Sequence, residues 1–228
     1  MYKKIGIVVA DTEEFMPLLD YALNSDGEKT EIFSRPAVIF KINNTDIVAV
    51  NCGIGKVNAS AVTAKLISDG CDAILNYGLS GGIEGFVSGG FSVPTSYLEH
   101  DFDLTVLGYK PCEKPNQKYI YETDKALLDI LKELFKDAVF GCAVCGDRFI
   151  SRKKDSDFLK DTFGAVTCDM ETGAIASVCD MAKVPFASLR RVSDGADEEA
   201  ADSYSEMNNN GGNNPLVDAF LTFLNKIS

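Results

Sequence analysis

The segment Leu189-Arg190-Arg191-Val192-Ser193-Asp194-Gly195-Ala196-Asp197 limits the possible folds more than any other part of the chain. An apolar stretch from Val184 to Leu189 leads into it and a loop rich in Gly, Asp and Glu follows. It reads as a buried central strand that ends by presenting Asp194. Open α/β sheets bind ligands at the carboxyl ends of their strands, and a partly desolvated carboxyl group there can hold or deliver a proton. Two more acidic clusters, Asp11-Thr12-Glu13-Glu14 and Cys168-Asp169-Met170-Glu171, also follow strand-like segments. Three acidic strand ends imply one site.

The rest of the chain alternates in the same way. Strand signals occur at Lys4 to Ala10, at Ala37 to Ile42 and Asp46 to Asn51 as a hairpin, and at Asp72 to Tyr77, which Gly78-Leu79-Ser80-Gly81-Gly82 closes. They recur at Phe91 to Leu98, Val139 to Cys145, Ala165 to Cys168 and Pro185 to Val192. Helical periods appear after Gly53-Ile54-Gly55-Lys56 as far as Ser68, and at Lys125 to Phe135, Ser156 to Phe163, Thr172 to Lys183 and Leu216 to Lys226. This pattern predicts an α/β fold, a three-layer α/β/α sandwich around a central mixed twisted sheet. No proline-rich linker or composition shift divides the 228 residues, so one domain spanning 1–228 is expected. Glu198 to Asn214 reads as a mobile loop beside the site.

A net charge of −12 argues against a nucleic-acid partner, because such binding needs clustered Lys and Arg. The apolar run Ile5 to Ala10 is too short for a signal peptide, and no run approaches membrane-spanning length. The 7 cysteines are an odd, scattered set that suits small buried hydrophobes in a reducing compartment, so a cytoplasmic location is expected. Cys142-Ala143-Val144-Cys145 has half a zinc spacing and no second pair to complete it. His100, the one histidine, stands among Glu99, Asp101 and Asp103 and reads as part of a solvated or interface loop.

The glycine segments match neither nucleotide signature. Gly53-Ile54-Gly55-Lys56-Val57 lacks the P-loop glycine spacing and its Ser/Thr, and no G-x-G-x-x-G is present. A tight strand-to-helix turn explains that segment equally well. In Gly78-Leu79-Ser80-Gly81-Gly82 the small residues let a ligand approach backbone N–H groups. Local sequence leaves structural alternatives open at the acids too. Ser193 or Asp194 can cap a following helix, and Glu13, Glu14 and Glu171 can be acidic helix starts favoured by the dipole.

Taken together, Ile5-Gly6-Ile7-Val8-Val9-Ala10 with Glu13-Glu14, Gly53-Ile54-Gly55-Lys56-Val57 and Asn76-Tyr77-Gly78-Leu79-Ser80-Gly81-Gly82 form one ordered set. It continues through His100-Asp101-Phe102-Asp103, Gly108-Tyr109, Gly146-Asp147-Arg148-Phe149-Ile150, Asp169-Met170-Glu171-Thr172-Gly173-Ala174 and Arg190-Arg191-Val192-Ser193-Asp194. From about Lys3 to Asp197 the chain resembles the nucleoside phosphorylase/nucleosidase superfamily, most closely its bacterial methylthioadenosine/S-adenosylhomocysteine nucleosidase branch. The resemblance implies a nucleoside phosphorylase-like fold and cleavage of the N-glycosidic bond between adenine and ribose.

It also implies roles for residues. Asp194 matches the acid at the purine five-membered ring, with Ser193 beside it. Glu14 matches the base that takes a proton from water, and Arg190 matches the arginine that helps place that water. Glu171 matches the ligand of the ribose hydroxyls, and Met170 the side chain under the sugar. Phe149 matches the stacking aromatic and Ile150 the backbone reader of the adenine edge, while Ile54, Leu79, Ser80 and Gly81 complete the substrate contacts. Family members are homodimers in which a neighbour's loop walls the 5′-pocket, and Leu104, Leu107 and Pro115 occupy the matching loop. An apolar wall there suits a thioether. A small-molecule purine nucleoside is the partner implied, and no metal or organic cofactor is.

The phosphorylases of the superfamily carry an arginine before the glycine turn where Asn76-Tyr77 stands here, which favours water; Arg190 or Arg191 remains available to a phosphate, so a phosphorylase is the alternative. Leu79 replaces the nucleosidases' serine, Asp169 replaces a glutamate, and 199–214 departs from the family's closing loop, although Tyr204 supplies an aromatic there. The Leu79 change keeps open a third reading, a nucleoside-binding relative without catalysis.

Overall fold

Why the sheet can be buried on both faces is plain from strand β5, Ala73–Gly82, whose side chains are almost all inaccessible. It is flanked by β1, Lys4–Val9, and by β10, Phe186–Asp194, both parallel to it, so the carboxyl ends of all three open toward the same place. The computed structural model describes residues 2–84, 88–209 and 213–228. Among these, the sheet continues from β1 through β4, Thr45–Asn51, to β3, Arg35–Ile42, and the edge strand β2, Glu28–Ile32. On the other side β10 pairs with β6, Phe91–Glu99, then β8, Val139–Cys145, and β9, Ala165–Asp169, follow, and a short β7, Ile120–Glu122, pairs with β6.

The sheet closes partly on itself. β10 pairs with both β5 and β6, and β9 pairs antiparallel with the end of β5 through Gly81–Cys168 and Gly82–Thr167. Strands β5, β10, β6, β8 and β9 therefore form a ring with the open wing β1-β4-β3-β2 attached. This pairing explains why β5 does not end at Gly78 as the glycines suggest. Gly78, Ser80 and Gly81 still have partners in Arg190, Val192 and Asp194.

Helices cover both faces, as the three-layer expectation requires. On one face α1, Thr12–Asn24, α3, Lys125–Leu134, and α7, Asn214–Ile227, bury Phe15, Leu18, Leu127, Leu131, Phe220 and Phe223 against the sheet. On the other, α2, Lys56–Ser68, and α5, Thr172–Ala182, pack Ala59, Val62, Leu66, Ile175 and Ala176 on Val8, Val50 and Ile74. A fourth helix in chain order, α4, Lys153–Phe163, covers β9 with Leu159.

The expected loop 198–214 is corrected in part. Ala200–Asn209 is a helix, α6, because Ala200 is buried and Tyr204 and Met207, four and three residues further on, share a face packed on the core. Residues 210–212 of that expected loop lie outside the described residues. The edge strand β2 has the sequence EKTEI, too polar to signal a buried strand, yet it pairs with β3 along its full length. Six of the 7 cysteines are buried and Cys142 is half-buried, all as free thiols.

Tyr77 of β5 and Phe220 of α7 meet with ring centroids 4.5 Å apart and are both fully buried. Phe220→Ala should destabilise the protein by about 3–5 kcal/mol, read from urea unfolding. A loss below about 1 kcal/mol would show that α7 is not part of the core.

Candidate functional site

Asp11 caps α1. Its side chain accepts from the backbone N–H of Glu13 at 2.8 Å, and Glu14 reaches back toward the Asp11 N–H at 3.5 Å, completing a capping box. The helix-start reading of Glu14 is therefore correct, and it is only half of the answer. The other carboxylate oxygen of Glu14 accepts from the Leu79 N–H on β5 at 2.7 Å, so the buried side chain bridges the ends of α1 and β5.

Arg190 comes to the same point from β10. Its Nη1 donates to the Asn76 side-chain oxygen at 3.0 Å, its Nη2 donates to the Leu79 carbonyl, and its Nε faces Asp169 at 4.0 Å. Nε has no hydrogen-bond partner among the described residues. Asn76 is itself fixed, donating to the Val8 carbonyl at 2.9 Å and accepting from Ser188. The glycine before Leu79 is what makes this possible. A Cβ on Gly78 would lie 2.7 Å from Arg190 Nη1 and 3.0 Å from Glu14 Oε2. The expectation that this turn offers N–H groups to a ligand is thus corrected at Leu79, whose N–H is occupied by Glu14.

Glu171 stands at the start of α5, but Asp169 caps that helix. Asp169 accepts from the N–H groups of Glu171 and Thr172 at 2.9 and 2.8 Å and from the Thr172 hydroxyl at 2.6 Å. Glu171 is thereby left to accept from the Gly55 N–H at 2.9 Å. Gly53 and Gly55 have φ of +85° and +97°, so this turn requires glycine and holds that N–H in place. Asp194 does not cap a helix, since α6 begins six residues later; it accepts from Ser193 Oγ at 2.6 Å and from the Ala196 N–H at 2.9 Å.

One cavity joins these groups. Its lining holds Glu14, Leu79, Ser80, Gly81, Ile54, Phe149, Ile150, Met170, Glu171, Arg190, Ser193 and Asp194, which are twelve of the fifteen residues named from sequence. Leu104, Leu107 and Pro115 do not line it. Leu104 precedes and Leu107 ends a short 3-10 turn, Thr105–Leu107, in which Val106 and Leu107 are 91% and 68% exposed, and Pro115 follows it. Sequence reading missed Asp11 and Arg148 as lining residues; Asp11 was visible only as one of three acids near a helix start. It used Asn76 only as the residue standing in place of an arginine and missed that its side chain holds Arg190. His100 packs half-buried on Gly146 and outside the cavity, while Lys56 ties Glu99 to Asp101, so the acidic loop is held by a cation rather than solvated.

Burial dominates the electrostatics. It raises Glu14 from 4.5 to about 7, with Glu171 and Asp11 adding to the effect and Arg190 and the Leu79 N–H opposing it. Glu171 rises to about 7, through burial and the neighbouring Asp169, against Arg190 and the Gly55 N–H. Burial also lifts Asp194, although Ser193 and the Ala196 N–H pull the other way. Around Arg190, burial works against the charge, but Asp169, Glu14 and Glu171 outweigh it and hold the guanidinium ionised.

Residues 4–221 match the phosphorylase superfamily. The chain belongs to that superfamily. Among its members, a 5′-methylthioadenosine/S-adenosylhomocysteine nucleosidase of Haemophilus influenzae (strain PittEE) is 35% identical over 212 residues, 89% of this chain and 91% of the relative. A mutant of the Helicobacter pylori enzyme MTAN, solved with 5′-methylthioadenosine in the active site, matches with a TM-score of 0.93 at 25% identity, covering 99% of this chain and 100% of that one. A futalosine hydrolase of Helicobacter pylori strain 26695 matches with a TM-score of 0.92 at 26% identity, covering 98% of each chain. The superfamily fold is therefore present over nearly the whole chain.

The two carboxylates raised to about 7 make stability depend on pH. A carboxyl whose folded pKa lies above its unfolded value binds more protons when folded, so its contribution is fully present below about 4.5 and is lost as pH rises through about 7. The melting temperature of the ligand-free protein should fall over this window, and Glu14→Gln should flatten the fall. An unchanged slope in the variant would rule out Glu14 as its source.

Proposed function

We propose that this chain is a purine nucleosidase, a hydrolytic N-glycosidase that releases adenine from 5′-methylthioadenosine, S-adenosylhomocysteine or a close analogue. One observation carries the hydrolytic assignment. The guanidinium fork of Arg190 is already committed to Asn76 and the Leu79 carbonyl, and the wall around it is acidic through Glu14, Asp169 and Glu171. A phosphate dianion finds the Arg190 fork engaged and Arg148 paired with Asp155, and three acidic side chains to repel it. Water meets neither obstacle. Arg191 donates to the Gly89 carbonyl and is not part of the cavity lining.

In this reading the base lies between Phe149 and Gly81, with Ile150 at its edge and Asp194 at the five-membered ring. Glu171 binds the ribose hydroxyls above Met170 and fixes the anomeric carbon. Glu14, as carboxylate, takes a proton from water while the water oxygen forms its bond to C1′ and the C1′–N9 bond breaks. Asp194, as acid, gives its proton to the purine, so adenine leaves neutral and the positive charge that develops on the sugar is relieved by the added oxygen. Arg190 favours the ionised form of Glu14 and helps position the water. Leu79 contributes its backbone N–H to Glu14, a contact that does not need the serine hydroxyl found in relatives.

The same reading takes the chain as one domain that works in the cytoplasm as a homodimer, without metal or organic cofactor. No helix among the described residues is long and apolar enough to cross a membrane. Support for the dimer is the loop whose exposed apolar side chains are Val106 and Leu107, with Leu104 and Pro115 half-buried beside them, outside its own cavity and available to wall a neighbour's.

Adenine release from methylthioadenosine, measured with and without phosphate and with the sugar identified, tests the function. Release should be independent of phosphate and give the free thio-sugar; release only with phosphate would assign a phosphorylase, and tight binding with no release a nucleoside-binding protein. Asp194→Asn should keep KM within a few-fold and lower kcat by about 10²–10⁴. Wild-type turnover in that variant would overturn the acid assignment.

A further inference from the structure

Strand order gives the cavity a direction. Asp194 ends β10, Leu79 to Gly81 end β5, and Ala10 and Asp11 follow β1, so the Asp11 end lies two strand spacings, about 10 Å, from the acid at the base end. With the base at Asp194 and the ribose hydroxyls at Glu171, the part of the nucleoside left to face Asp11 is the 5′-substituent. This argument rests on the nucleosidase reading above.

That end of the cavity is polar on this chain's side. Asp11 Oδ1 accepts from the Glu13 N–H at 2.8 Å and from Asn208 Nδ2 at 3.3 Å, while Oδ2 has no hydrogen-bond partner among the described residues. Asn208 is held in turn, accepting from Asn213 at 2.8 Å and lying 3.5 Å from the Tyr204 hydroxyl. Tyr204 sets its ring edge-on to Phe149, with centroids 5.8 Å apart, and both rings line the cavity. Burial first, then the charges of Glu14, Asp11 and Glu171, raises the Tyr204 phenol above its ordinary value, so the hydroxyl stays protonated beside them.

We propose that Asp11, steadied by Asn208 and Tyr204, determines the 5′-specificity and favours adenine nucleosides whose 5′-group donates a hydrogen bond, a hydroxyl or an ammonium. A methylthio or methyl group leaves the second carboxylate oxygen without a partner once water is expelled, and that is a penalty a donor removes. A site built to pair a polar group discriminates against analogues that lack it far more strongly than an apolar pocket discriminates by size.

The test compares kcat/KM for adenosine, 5′-amino-5′-deoxyadenosine, 5′-deoxyadenosine and methylthioadenosine. Adenosine, the amino nucleoside or both should exceed the two donor-free substrates by about tenfold or more, and the larger of the two identifies hydroxyl or ammonium as the preferred donor. Asp11→Ser keeps an oxygen for the helix cap and should erase that preference; melting temperature monitors its folding, and Asp11→Asn is the second cap-retaining variant. Equal or better use of the donor-free pair by the wild type, or a preference that survives in both variants, overturns this proposal and leaves the nucleosidase reading intact. Base release from none of the four overturns both.

Discussion

Everything at the carboxyl edge of the sheet depends on burying the charge of Arg190. An isolated guanidinium taken out of water is prohibitively costly, and a buried ion is tolerated only with opposite charges and hydrogen bonds around it. This structure supplies both. Asp169, Glu14 and Glu171 bring the charge, and Asn76 and the Leu79 carbonyl bring the hydrogen bonds. Removing one partner from such a cluster typically costs about 3–5 kcal/mol, because the rest is left uncompensated. The parallel pairing of β10 with β5 sets Arg190 directly opposite Gly78, where the absence of a side chain gives the guanidinium its room. Sheet register, glycine and ion cluster are therefore one solution to one electrostatic problem.

The cluster also explains why two helices begin as they do. At α1 and α5 the residue that caps the helix is a different acid from the one that reaches deepest into the site. Asp11 caps α1 and Glu14 spans to β5; Asp169 caps α5 and Glu171 spans to Gly55. An aspartate is short enough to turn back on its own backbone, and a glutamate is long enough to cross to the next element. The aspartate at 169 thus has a structural task of its own.

Most of the architecture was legible because buried strands are apolar and helices are periodic, and β8 was bounded correctly at both ends by that signal alone. The ring closure was not, since pairing of β10 with both β5 and β6 is non-local and leaves no trace in composition. Strand β2 was hidden by its polarity, and α6 by having only four apolar residues in ten, two of them alanines. At the site, Glu14, Glu171 and Asp194 were legible as acids after strands, but local sequence leaves a cap and a site residue looking alike. Asn76 was hidden for the opposite reason: an amide in a buried strand has meaning only when its partner, 114 residues away, is known.

The surroundings of Glu14 and Asp194 divide their work. Both are lifted by burial, yet Glu14 lies against the buried guanidinium of Arg190, which opposes that rise. Asp194 is relieved only by a hydroxyl and an N–H, and Asp197 adds a like charge that favours the protonated form. Groups of similar chemistry separated by environment in this way are suited to opposite proton transfers. In the proposed reaction the carboxyl beside the cation serves as the base, and the one hydrogen-bonded to Ser193 serves as the acid. In that reading Arg190 acts without gripping any ligand, by opposing the burial that makes Glu14 costly to ionise.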